Sequence, residues 1–120
     1  MEAARFSAGA FAEHWAAAWN AHDLNAVLAL FADNVVFTSP LAHKLLPASD
    51  GVVRGKAALR AYWSEGLAKA PYLHFELTWV MEGIDLIVIG FRNEKGVDRC
   101  EVLKFADGLV VEGHGTYPVG

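Results

Sequence analysis

Near the end of this 120-residue chain a carboxylic acid, Glu101, stands in an alternating run two residues after Arg99, and the run that follows carries Gly113, His114, Gly115 and Tyr117. Side chains two apart on a strand share a face, so Arg99 and Glu101 point the same way. What lies across from them depends on the turn. A three-residue turn, Ala106 to Gly108, pairs Glu101 with Gly113, Arg99 with Gly115 and Val97 with Tyr117. A two-residue turn, Asp107-Gly108, slips the register by one and sets Glu101 against His114 as a carboxylate–imidazole pair. Glycines opposite charged side chains leave open volume beside Glu101. A glutamic acid in an apolar hollow resists ionisation, which suits it to give a proton or a hydrogen bond to a substrate oxygen. The plainer alternative is an Arg99–Glu101 ion pair at a pocket rim or subunit interface.

The base that such an acid would work with has two candidates. His43 falls in a segment expected to cover the pocket mouth, and His14 flanks Trp15 on the first helical run. A solvated loop histidine and a half-buried helix histidine are the plainer readings of both. His22 and His74 read as surface residues. Because His14, His43 and His114 lack a ligand spacing such as i, i+4, no metal is predicted, and no cofactor either. The aromatic set Trp15, Trp19, Trp63, Phe75, Trp79 and Tyr117 is explained mostly by core packing. Its polar-tipped tryptophans are also placed to line a flat cavity for a ring-containing ligand. The Asp33-Asn34 pair, Asp50 and Ser39 have turn and cap explanations.

The elements that must position these residues follow from periodicity. Phe11, Trp15, Ala18 and Trp19 recur at helical spacing behind a possible Ser7 cap, and Leu24, Val27, Leu28 and Phe31 repeat the pattern behind Asp23. Val35 to Phe37 is a short strand ended by Ser39-Pro40. Residues 41–54 hold no sustained period and read as a long loop. From Gly55 to Ala70 the set Leu59, Tyr62, Trp63 and Leu67 makes a third helix, closed by Pro71. The period then becomes alternating, giving four strands. In the first, Leu73, Phe75, Leu77, Trp79 and Met81 share the apolar face. Ile84 to Phe91 is apolar on both faces, as for a central strand or one covered by a second subunit.

Composition sets the outer limits. Hydrophobic residues make up 54% and charged residues 20%, which places the chain with folded globular proteins, and its length fits one domain, 1–120. The formal charge of −4, with no two Lys or Arg residues adjacent, gives no footprint for nucleic acid. One cysteine, Cys100, excludes an internal disulfide and a zinc knuckle, and points to a reducing, cytoplasmic home. Met1 to Ser7 lacks the apolar core of a signal peptide, and no run is long enough to span a membrane.

The order helix, helix, strand, helix and four-stranded meander resembles the nuclear transport factor 2-like superfamily, in its branch of SnoaL-like polyketide cyclases and ketosteroid isomerases. The carriers are Trp19-Asn20-Ala21-His22-Asp23-Leu24 leading into Phe31-Ala32-Asp33-Asn34, the Gly55 helix start with Tyr62-Trp63, and Phe105-x-Asp107-Gly108 before the last strand. The resemblance implies a cone-shaped α+β barrel, with three N-terminal helices packed on a strongly curved, mostly antiparallel sheet. It favours the register that pairs Glu101 with Gly113. Carried over, the steroid isomerase site is mostly absent. Its helix-one tyrosine falls on Trp15, its aspartate base on Ser39 before Pro40, and a second pocket tyrosine near Trp63; only the inward acid survives, as Glu101. The resemblance thus implies an internal pocket for a small hydrophobic, ring-containing or polyketide-like molecule, with Glu101, His43 and His14 as acid–base candidates. Trp15, Trp19, Ser39, Trp63, Phe75, Trp79, Arg99, Gly113 and Tyr117 are the expected ligand contacts. A homodimer through the outer sheet face is expected, and a binding or dimerisation module without catalysis is the alternative.

Overall fold

The computed structural model describes residues 7–119. The segment 1–6, on which the reading about a signal peptide rests, and residue 120 lie outside the described residues. Helix α1, Ala8–Asn20, starts where the Ser7 side chain accepts from the Ala10 N–H, and α2, Leu24–Leu28, starts on the same device at Asp23. Strand β1, Phe31–Thr38, begins four residues earlier than its β-branched centre suggests, so Phe31 opens a strand and does not close a helix. The stretch 41–54 is no loop. Ser39 caps a short helix α3, Pro40–Leu45, with Pro40 in its first turn; a 3-10 turn, Pro47–Ser49, and strand β2, Val52–Arg54, follow. Ser-Pro is both a strand terminator and a helix opener, and here it is both. Helix α4 runs Lys56–Lys69.

The meander consists of β3, Glu76–Gly83, β4, Leu86–Arg92, β5, Asp98–Ala106, and β6, Leu109–Gly115. All six strands form one curved sheet in the order β2-β1-β6-β5-β4-β3. Every pairing is antiparallel except β1 with β6, which is parallel. Helix α1 packs on β3, and α4 packs on β1 and β2. Between helices and sheet lie the fully buried Trp15, Leu28, Phe31, Leu59, Ile87, Ile89, Phe91 and Leu103. Among the described residues there are thus four α-helices, not three, on a mixed sheet that is mostly antiparallel. No helix among the described residues is long and apolar enough to cross a membrane.

Two irregularities decide which side chains face inward. In β3 the register with β4 shifts between Leu77 and Trp79, so Leu77 pairs with inward Phe91 while Trp79 pairs with outward Gly90. The expected single apolar face is therefore split: Phe75 is buried, but Trp79 and Met81 are 43% and 63% exposed on the outer side. In the last hairpin Ala106 pairs with Leu109 across the two-residue turn, and a register shift between Lys104 and Phe105 adds one residue to β6. Glu101 consequently faces Gly115, neither Gly113 nor His114, and Gly113 faces Leu103.

Candidate functional site

Glu101 sits on the concave face of β5 between Ile89 of β4 and Gly115 of β6, with 6% of its surface exposed. It borders a cavity of about 320 Å³. Aromatic walls come from α1 (Trp19), α4 (Tyr62, Trp63), β1 (Phe37), and the segments before β3 (Phe75) and after β6 (Tyr117). Trp19 meets Trp63 edge-on at 5.0 Å between centroids, and Phe37 meets Trp63 edge-on at 5.4 Å, so the walls brace one another. The glycines beside the acid do not leave empty space. A Cβ on Gly113 would come within 2.8 Å of the Phe37 ring, and one on Gly115 would lie 3.4 Å from the Ser39 hydroxyl. The smallness of Gly113 admits Phe37 to the cavity wall, whereas Ser39 lies at ordinary contact distance from Gly115.

Burial pushes the Glu101 carboxyl up to about 7, against the opposing pull of the Arg99 charge and, less strongly, of the Trp15 indole N–H. Trp15 lies near enough to favour the carboxylate without completing a hydrogen bond. Glu101 Oε2 and the indole nitrogens of Trp15 and Trp19 are all buried with no hydrogen-bond partner among the described residues. Such orphans are costly in a packed interior. Burial also pushes the Tyr62 phenol up to about 12, against the Ser39 side chain, and the Tyr117 phenol above its usual value, against the Arg99 charge and, less strongly, the Ser39 side chain. Both phenols are therefore proton-bearing donors at neutral pH, whereas Glu101 exchanges its proton there. Arg99 forms no ion pair with Glu101 among the described residues. Its Nε–H donates to the Thr116 carbonyl at 3.0 Å, and its Cζ lies 3.8 Å from the Tyr117 ring centroid and 5.1 Å from that of Phe91.

Residues 12–113 match the model of the SnoaL-like domain. The chain belongs to that family. Among solved structures it is similar to a SnoaL-like protein of unknown function from Burkholderia thailandensis, at 38% identity over 93% of this chain and 95% of that one, with a TM-score of 0.87. TerC, co-crystallised with polyporic acid, shares the fold at 14% identity over 93% and 92% of the two chains, TM-score 0.76. A putative polyketide cyclase from Sinorhizobium meliloti does so at 15% identity over 86% and 90%, TM-score 0.71. No curated protein matches the sequence.

In this SnoaL-like domain the cavity gathers Glu101, Trp19, Ser39, Trp63, Phe75, Arg99 and Tyr117 from among the residues singled out in the sequence. Trp15 is fully buried beside Glu101 rather than in the cavity wall, and Gly113 stands behind Phe37. The two candidate bases are elsewhere. His14 lies on the exposed side of α1, and His43 is exposed on α3, a helix whose turns carry Leu41 and Leu45 to the cavity and His43 away from it. Trp79 is on the opposite side of the sheet, its indole laid over Gly90, where an added Cβ would meet it at 2.1 Å. His114 also faces outward: its Nδ1 is 2.6 Å from the Thr38 hydroxyl and its Nε2 2.7 Å from Glu112. Among the described residues no three His, Cys, Asp or Glu side chains are grouped to hold a metal.

The sequence reading missed Phe37 and Tyr62 as cavity walls. Tyr62 was visible as half of an aromatic pair, and its helical offset of one from Trp63 put it on an adjoining face. The motif Trp19 to Leu24 proves to be scaffold as well as signature. Asn20 donates through Nδ2 to the Phe75 carbonyl at 3.0 Å and accepts the Phe75 N–H at 2.7 Å, His22 Nε2 is 2.9 Å from the Leu73 carbonyl, and Asp23 caps α2. Two cavity residues, Leu73 and Phe75, are thereby tied to the end of α1.

Proposed function

We propose that this domain binds a small, hydrophobic, ring-containing molecule and moves a proton on it, with Glu101 as both the acceptor and the donor, in an isomerase-, cyclase- or lyase-type reaction. The observation that carries the reading is a lone buried carboxyl, with one oxygen unpartnered and a pKa of about 7, on the wall of an aromatic cavity. With His14 and His43 outside the cavity, one group has to take a proton from one substrate atom and return it to another. A carboxyl balanced near neutrality suits both halves. Tyr62 and Tyr117, held in their protonated forms, supply hydrogen bonds to a ligand oxygen as negative charge develops on it. The fold shared with TerC and with the Sinorhizobium cyclase favours a flat, polyketide-like ligand.

A probe with acidic C–H bonds tests this. In D2O, 2-tetralone should exchange its α-hydrogens faster with the protein than without, as read by proton NMR. The rate should rise through pH 7 and fall at least a hundredfold in Glu101→Gln. Retention of the ketone with no acceleration would instead support the non-catalytic binding reading. A dimer through the outer sheet face is proposed beside it, supported by the exposed Trp79 and Met81 next to half-buried Val88 and Val102.

A further inference from the structure

The charge around the cavity runs against that of the chain. The sequence carries a net −4, yet three cations, Lys69, Lys95 and Arg99, border the cavity against two carboxyls, Glu94 and Glu101. Glu94 Oε1 accepts the His74 N–H at 3.3 Å, and Glu101 is balanced near neutrality, so the three cations still outweigh the carboxylate charge around the cavity. Among the described residues none of the three cations has an ion-pair partner.

Arg99 is the one among them that is built in. The Thr116 carbonyl holds its Nε–H, and the rings of Tyr117 and Phe91 flank it, which leaves the two terminal nitrogens without an acceptor among the described residues. A half-buried guanidinium with its fork unmatched is an energetic deficit for any neutral occupant, and it is matched in geometry by a carboxylate or by two oxygens of an enolate. Glu101 stands two residues further along the same strand face, about 7 Å away by strand rise. One ring can therefore present an oxygen to Arg99 and a reacting carbon to Glu101.

We infer that the molecule bound here is a flat organic anion, a ring system bearing a carboxylate or an acidic enol, whose charged oxygen lies on Arg99 while Lys69 and Lys95 at the entrance draw it in. The inference rests on the cavity being the ligand site, and it adds the sign of the ligand's charge. A neutral steroid-like or ester ligand is the class it rejects.

The probes are 2-naphthoate and its neutral methyl ester, titrated at pH 6 against the quenching of the cavity tryptophans Trp19 and Trp63 and checked by calorimetry. The acid should bind at least tenfold more tightly than the ester. Arg99→Gln should abolish that preference by weakening the acid alone, and Lys69→Gln with Lys95→Gln should lower the association rate and its salt dependence. Equal affinities, or a preference for the ester, in the wild-type protein would overturn the anion while leaving the cavity as a ligand site. Binding of neither probe would remove both. The wild-type ratio decides the matter even if Arg99→Gln fails to fold.

Discussion

At the scale of single residues the molecule turns on how a carboxyl responds to being taken out of water. The folded-state pKa of Glu101, about 7, lies above the ordinary 4.5, so between those values the folded chain holds a proton that the unfolded chain releases. Stability therefore falls as pH rises through this window, by roughly 3 kcal/mol in all, and levels off above it. Burial sets where the window ends, opposed by Arg99 on the same strand and Trp15 on α1, while the phenols of Tyr62 and Tyr117 face the carboxyl uncharged. Denaturant titrations at pH 5 and pH 8 should show the wild type losing most of that amount and Glu101→Gln losing almost none of it. Glu101 and Arg99 were legible in the sequence because charged residues in an apolar alternating run are rare. The outward placement of His14 and His43 was not, since one step along a helix turns a side chain by about 100° and composition does not say which side is inside.

At the scale of elements, small departures from regular pairing matter more than strand content. The order of helices and strands could be read from periodicity, and so could the hairpins. The extra residue in β6 and the shift at Leu77/Trp79 could not, because a bulge leaves composition and alternation nearly unchanged while it moves every later residue to a new partner. Helix α3 was hidden because Ser39-Pro40 ends one element and opens the next. The glycine pair of β6 separates two effects. Gly113→Ala forces its Cβ into the buried Phe37 ring and should cost about 1–3 kcal/mol, whereas Gly115→Ala finds ordinary contact distances and should be near neutral. Thermal unfolding of the two variants side by side reads the difference. Asn20→Ala removes both hydrogen bonds to Phe75 and should cost about 2 kcal/mol. It should also weaken 2-naphthoate binding, because the same bonds hold a cavity wall in place.

At the scale of the whole molecule, the concave side of the sheet carries the candidate site, and the convex side carries apolar surface with Trp79 and Met81 uncovered. Sedimentation should show a dimer at micromolar concentration, and Trp79→Glu with Met81→Lys should yield a monomer whose thermal midpoint becomes independent of concentration. The parallel pairing of β1 with β6 has a further consequence. Residues in the thirties cannot find their neighbours until those near 110–115 have left the ribosome, so the sheet cannot close before β6 has emerged. Ser39, from the first half, and Glu101, from the second, come together only in that last event. A nascent chain therefore holds the two walls of its cavity apart until β6 has emerged.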